Sequence, residues 1–166
     1  MVYDMSKKKY ENFTLGLALF DALPVLFFCA ATLLIALRFR NGFFLAGAVL
    51  CTLAGVGKVT WKILLAGRKR DFQILNKQMR FFMPLGFLLM IIGLVTGCRT
   101  EQLTALKTLV FSFPAVLFFG ITVLGMLLMM VFAFALDSTK ARSNWIEQIT
   151  NALAQGSFLL GVLLCM

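Results

Sequence analysis

At 166 residues the chain is the size of one compact domain, and polarity sets its class: 61% of it is hydrophobic and the mean hydropathy is +0.93. An average soluble domain is about 45–50% apolar, and a globule this small exposes too much surface to hide the excess, so lipid must cover the remainder. The formal charge of +9, from 16 Lys and Arg against seven Asp and Glu, would point to nucleic acid in a soluble protein. Here the basic residues cluster between apolar runs, as in cytoplasmic loops of membrane proteins, and no nucleic-acid partner is expected.

A bilayer core of about 30 Å takes about 20 apolar helical residues, and this criterion divides the chain into five runs: 13–39, 42–67, 81–97, 109–136 and 146–166. They are continuous and Leu-rich without alternation, so helices are expected and a barrel is not. The expected architecture is an all-α bundle of five transmembrane helices forming a single domain over 1–166. Lys7, Lys8 and Lys9 precede the first run, with no small-residue cleavage site after it, so it reads as an uncleaved helix. Met79 to Cys98 has the look of a lipoprotein signal, but in mid-chain it reads as a membrane helix.

Orientation follows from the basic residues. With the N-terminus inside, cytoplasmic segments hold Lys7, Lys8, Lys9, Arg68, Lys69, Arg70, Lys77, Arg80, Lys140 and Arg142, whereas the other side holds Arg38, Arg40, Arg99 and Lys107. This bias predicts a cytoplasmic N-terminus, a C-terminus at the outer face and residence in the plasma (inner) membrane. Asp71 to Arg80 mixes apolar and charged residues and predicts an amphipathic helix along the inner interface. Arg99 to Thr108 is the main outer loop.

Pro24, Pro84 and Pro114 are read as marking helix starts, because the first turn has N–H groups to spare. Ser112 is a candidate cap for the fourth helix. Pro24 to Phe28 resembles Pro114 to Phe119, which raises an inverted repeat of two helix pairs.

The informative residues are polar ones within apolar runs, since a charge at the centre of a membrane helix costs about 2.5–3.5 kcal/mol and usually pairs, lines water or snorkels. Asp21 reads either as an interfacial cap or as a buried, functional carboxylate. Lys58 and Lys62, four apart and flanking Trp61, read as snorkelling to the inner headgroups; the alternative pairs Lys58 with Asp21 or Glu147. Asn144, Gln148, Asn151 and Gln155 are spaced by four, three and four, which places them in one stripe of the last helix with Glu147 beside it. A stripe of amides cannot face lipid unsatisfied, so it packs against other helices or lines a cavity. Gly47, Cys51 and Gly55 would let the second helix approach a neighbour closely.

The expected function is that of a small transporter or channel-like protein, whose cytoplasm-facing cavity binds a small polar or ionic solute through Asp21, Lys58, Lys62, Glu147, Gln148, Asn151 and Gln155. The alternative is a noncatalytic membrane subunit or lipid-binding scaffold whose polar stripe docks a partner. Five helices enclose little volume, so a homo-oligomer is expected. Without histidine, H-E-x-x-H or a nucleophile motif, the sequence offers an enzyme only Asp/Glu/Lys acid–base chemistry, and no cofactor is expected. Cys29, Cys51, Cys98 and Cys165 form no C-x-x-C pair and suggest no zinc site. A Cys98–Cys165 disulfide is one reading, and free buried thiols are the other.

Overall fold

The computed structural model describes residues 14–68, 72–97, 107–136 and 140–166, all helix and short connections with no strand among them. Lys7, Lys8, Lys9, Lys69, Arg70, Asp71, Cys98, Arg99 and most of the 99–108 connection lie outside the described residues, whereas the Cys165 thiol is described and free.

Its elements are α1 (Leu15–Phe20), α2 (Ala22–Phe39), α3 (Gly42–Arg68), α4 (Gln73–Lys77), α5 (Met79–Gly97), α6 (Ala115–Ala135) and α7 (Ala141–Leu164). Four helical stretches are long and apolar enough to cross a membrane: Leu15–Phe39, Gly42–Gly67, Met79–Gly97 and Ala115–Ala135. The fifth expected run, within α7, is long enough at 24 residues but falls outside this set, because its amides and Glu147 lower the mean hydropathy.

The first run is nearly one rod. Thr14 Oγ1 accepts from Leu17 N at 3.3 Å and caps α1. The break at Asp21 comes just before Pro24, whose ring has no N–H for the Phe20 carbonyl and crowds it. Arg40, in the left-handed region at φ 48°, ends α2, and Asn41 Oδ1 accepts from Phe44 N at 3.1 Å to start α3. This turn is therefore very tight.

One proline reading changes and another holds with a shifted helix start. Pro84 lies inside α5, which begins at Met79, so the proline falls in the second turn. Pro114, by contrast, marks a helix start as expected: it is the N-cap of α6, which begins at Ala115 rather than near Leu109. Ser112 is not that cap: its hydroxyl donates to the Leu109 carbonyl at 2.7 Å, closing a preceding turn. The amphipathic segment is realised only as the short α4, with Phe72 and Ile74 exposed.

Contacts between named residues fix the direction of each pairing. α3 runs antiparallel to α5, with Gly47 against Gly86 and Met90, and Phe44 against Gly93. It runs antiparallel to α2 as well, where Gly55 meets Val25. α7 is antiparallel to α6, as Gly125 meets Ala154 and Gly161 meets Phe119, and parallel to α2, as Gly156 meets Phe27 and Phe28 meets Phe158. The helices thus lie in the spatial order α6, α7, α2, α3, α5. An inverted repeat would match the pair α2–α3 with the pair α6–α7, and both are neighbours, but it would also require α6 to pack along α3 as α2 packs along α7, and that packing is missing among the described residues.

Small residues make these approaches possible. Gly47, Cys51 and Gly55 lie at helix contacts within the chain, and the Cys51 thiol donates to the Met83 carbonyl at 3.7 Å. Around them, Ala36, Phe44, Ala48 and Met90 form the apolar core shared by α2, α3 and α5. Four rings then tie the two halves together: Phe28 meets Phe87 of α5 at 6.0 Å and Phe158 of α7 at 6.4 Å, and Phe158 meets Phe119 of α6 at 6.4 Å.

Candidate functional site

Polar residues gather at one end of this arrangement, below the phenylalanine row. The antiparallel register of α2 and α3 brings Lys62 beside Asp21, and Lys62 Nζ lies 2.9 Å from Asp21 Oδ2. Both are withdrawn from solvent and lipid, with side chains 4% and 6% exposed. This resolves the two readings of Asp21: it makes no side-chain capping bond, and its carboxylate is buried in an ion pair.

The same contact corrects the reading of the lysines. Lys62 does not snorkel, and it rather than Lys58 is the partner of Asp21. Sequence spacing put both lysines on one helix face but not the register against the preceding helix, which decides which one reaches Asp21. Trp61 is also turned inward, 5% exposed, instead of lying at a headgroup surface. The tryptophan at the rim is Trp145, whose ring meets Phe20 at 5.5 Å.

That aromatic contact sets the depth of α7 against α1. Because Phe20 precedes Asp21 and Trp145 is two residues before Glu147, the carboxylate of α7 comes to the level of the buried pair. Glu147 is half-buried and lies within electrostatic range of Lys58, Lys62 and Asp21. Among the described residues neither Lys58 nor Glu147 forms an ion pair within 4.0 Å. Four ionisable groups from three helical stretches therefore form one neutral cluster, of which Asp21 and Lys62 are satisfied by each other.

The amide stripe faces inward, as its spacing implied. Asn144 and Gln148 are buried, Gln155 is 8% exposed and Asn151 is half-buried. Asn144 Nδ2 donates to the Lys140 carbonyl at 3.0 Å. Gln155 points away from the charged cluster, its Nε2 donating to the Met126 sulfur of α6 at 3.6 Å. Gln148 is the exception: it is 1% exposed, yet among the described residues its Oε1 has no hydrogen-bond partner. A buried acceptor left unpaired costs about 1–3 kcal/mol, so Gln148 is held here at some expense of stability.

Two contributors lay outside the sequence reading. Thr122 Oγ1 donates to its own-helix Phe118 carbonyl at 2.9 Å and to the Ala154 carbonyl of α7 at 3.2 Å, and Met126 supplies the sulfur for Gln155. Both lie in an apolar helix where a threonine and a methionine look like ordinary lining. Among the described residues no group of three or more His, Cys, Asp or Glu is placed to hold a metal.

The fold and this cluster define the class: a helical membrane protein with a buried ion pair and further polar groups at one end of its bundle. Compared with known protein families, curated proteins and solved structures, the chain has no significant match.

Proposed function

We propose that this is a five-span protein with its N-terminus in the cytoplasm, acting as a small transporter or channel-like protein for a small polar or ionic solute. The fifth span is α7. At about 1.5 Å per residue its 24 residues reach about 36 Å, and it packs along both α6 and α2, two of the stretches apolar enough to cross a bilayer. Its amides turn to those neighbours, and its outward residues, such as Leu153 and Leu160, are apolar. The basic bias then sets the polar cluster at the cytoplasmic side.

The observation that carries the functional reading is the convergence of Asp21, Lys62, Lys58 and Glu147 at one level, half of it locked as a buried pair and half left open. Ionisable groups at such a level are expensive to insert and mark solute or ion pathways. Lys58, Glu147, Asn151 and the Gln148 acceptor replace the solute's water, while the Asp21–Lys62 pair holds α2 to α3 behind them.

Purified protein in liposomes should conduct or exchange small ions or metabolites. Glu147→Gln or Asn151→Ala should lower flux by about tenfold or more, equivalent to losing one charge-assisted hydrogen bond. Absence of flux for every small ion and metabolite tried, with a second polypeptide recovered from native membranes and lost on mutating the stripe, would replace this reading with that of a docking subunit.

A further inference from the structure

The outer side of α4 and α5 is left uncovered by the rest of the described chain. Gln78, between the two elements, is helical at φ −55° and ψ −34°; its N–H donates to the Ile74 carbonyl at 3.0 Å, and its own carbonyl accepts from Phe82 N at 3.0 Å. One helical phase therefore runs through both. Its inner side is fixed by contacts with α3, where the Gln78 side chain lies against Gly57, Gly86 and Met90 against Gly47, and Gly93 against Phe44. At about 3.6 residues per turn, the side opposite Gly86, Met90 and Gly93 carries Ile74, Lys77, Phe81, Leu88 and Val95. Ile74 is 80% and Phe81 76% exposed, and Leu88 and Val95 are exposed with them.

Charge divides this face by height. Lys77 and Arg80, both exposed, flank the start of the stretch Met79–Gly97 that is apolar enough to cross a membrane. Three residues apart on a helix, their Cβ atoms are about 5–6 Å from one another. Beyond Arg80 the face is apolar to its end. Gln73 to Gly97 contain no Asp or Glu, and neither cation forms an ion pair among the described residues. Two uncompensated cations at a membrane rim, above a strip turned to hydrocarbon, match a headgroup phosphate with acyl chains beneath it.

We propose that this face binds an anionic phospholipid such as phosphatidylglycerol, its phosphate held by Lys77 and Arg80 and its chains lying along Phe81, Leu88 and Val95. Ile74, one turn outside Lys77, covers the headgroup and leaves water in doing so. A zwitterionic lipid brings its own ammonium to two cations, so it binds more weakly. The face is separate from the polar cluster, and the proposal does not rest on the solute-binding reading.

The test uses the full chain in phosphatidylcholine liposomes, with the accessible native cysteines replaced and a fluorophore on Ile74→Cys. Spin-labelled phosphatidylglycerol should quench it at about tenfold lower mole fraction than phosphatidylcholine spin-labelled at the same chain position, and high salt should shrink that preference. Lys77→Gln with Arg80→Gln should make the two lipids equal. A fluorophore on Leu160→Cys of α7, remote from the cations in the chain and exposed, should show no preference in the otherwise unaltered protein, which localises the effect even if the double variant fails to fold. Equal quenching by both lipids at position 74, or the same preference at position 160, would overturn the proposal. So would a preference that survives loss of both cations, or the absence of quenching by either lipid, which would mean that the face meets water or another protein.

Discussion

The Asp21–Lys62 pair is where one side chain has the largest lever on the rest. Burying two charges costs several kcal/mol per ion, which their mutual attraction only just offsets, whereas removing one partner strands the other. Lys62→Met should therefore destabilise the protein by about 3–5 kcal/mol. The double variant Asp21→Leu with Lys62→Met should recover most of that loss, as replacing such pairs by apolar residues is often neutral. Thermal unfolding in detergent checks both, and a double variant no better than the single would show that the carboxylate has a further partner. Gln148 behaves in the opposite sense. Gln148→Leu removes an acceptor that has no donor, so it should leave the melting temperature unchanged or raise it while reducing flux.

At the scale of elements, the α3–α5 pairing depends on glycine where a methyl group has no room. A Cβ on Gly93 would meet the backbone of Phe44, and one on Gly86 the Cys51 sulfur and the Gly47 carbonyl. Gly93→Ala should cost about 1–3 kcal/mol, as overpacking does. Gly120→Ala on α6 meets open space and should be neutral or slightly stabilising from helix propensity; denaturation of the two variants side by side separates the effects.

Hydropathy and spacing made much of this legible. The five runs became helices, the small residues at 47, 51 and 55 became contacts, and the amide stripe turned inward. What stayed hidden depended on register between helices. Spacing alone did not choose Lys62 over Lys58, nor turn Trp61 inward. Local chemistry also misled at Ser112, where the serine closes a turn before Pro114 instead of capping the helix after it. Thr122 and Met126 gained their roles only because α7 lies against them.

For the molecule as a whole, the five-span proposal makes a sidedness claim. In right-side-out vesicles, with the other native cysteines replaced, Cys165 should react with a membrane-impermeant maleimide. A cysteine at Lys140 should react only after permeabilisation. Labelling of both from one side would mean that α7 does not cross.

The spatial order α6, α7, α2, α3, α5 also bears on how the protein is made. Chains emerge from the ribosome N-terminal part first, so α2 and α3 can close their ion pair as an early hairpin, and α5 can seat against it. α6 then arrives with its main contact surface belonging to a helix that has not yet been synthesised. Assembly must wait for α7 to enter the slot between the oldest segment and the most recent one. A chain truncated after Leu136 and released should leave α6 loose in the bilayer and open to quality-control proteases, while the earlier helices already hold together.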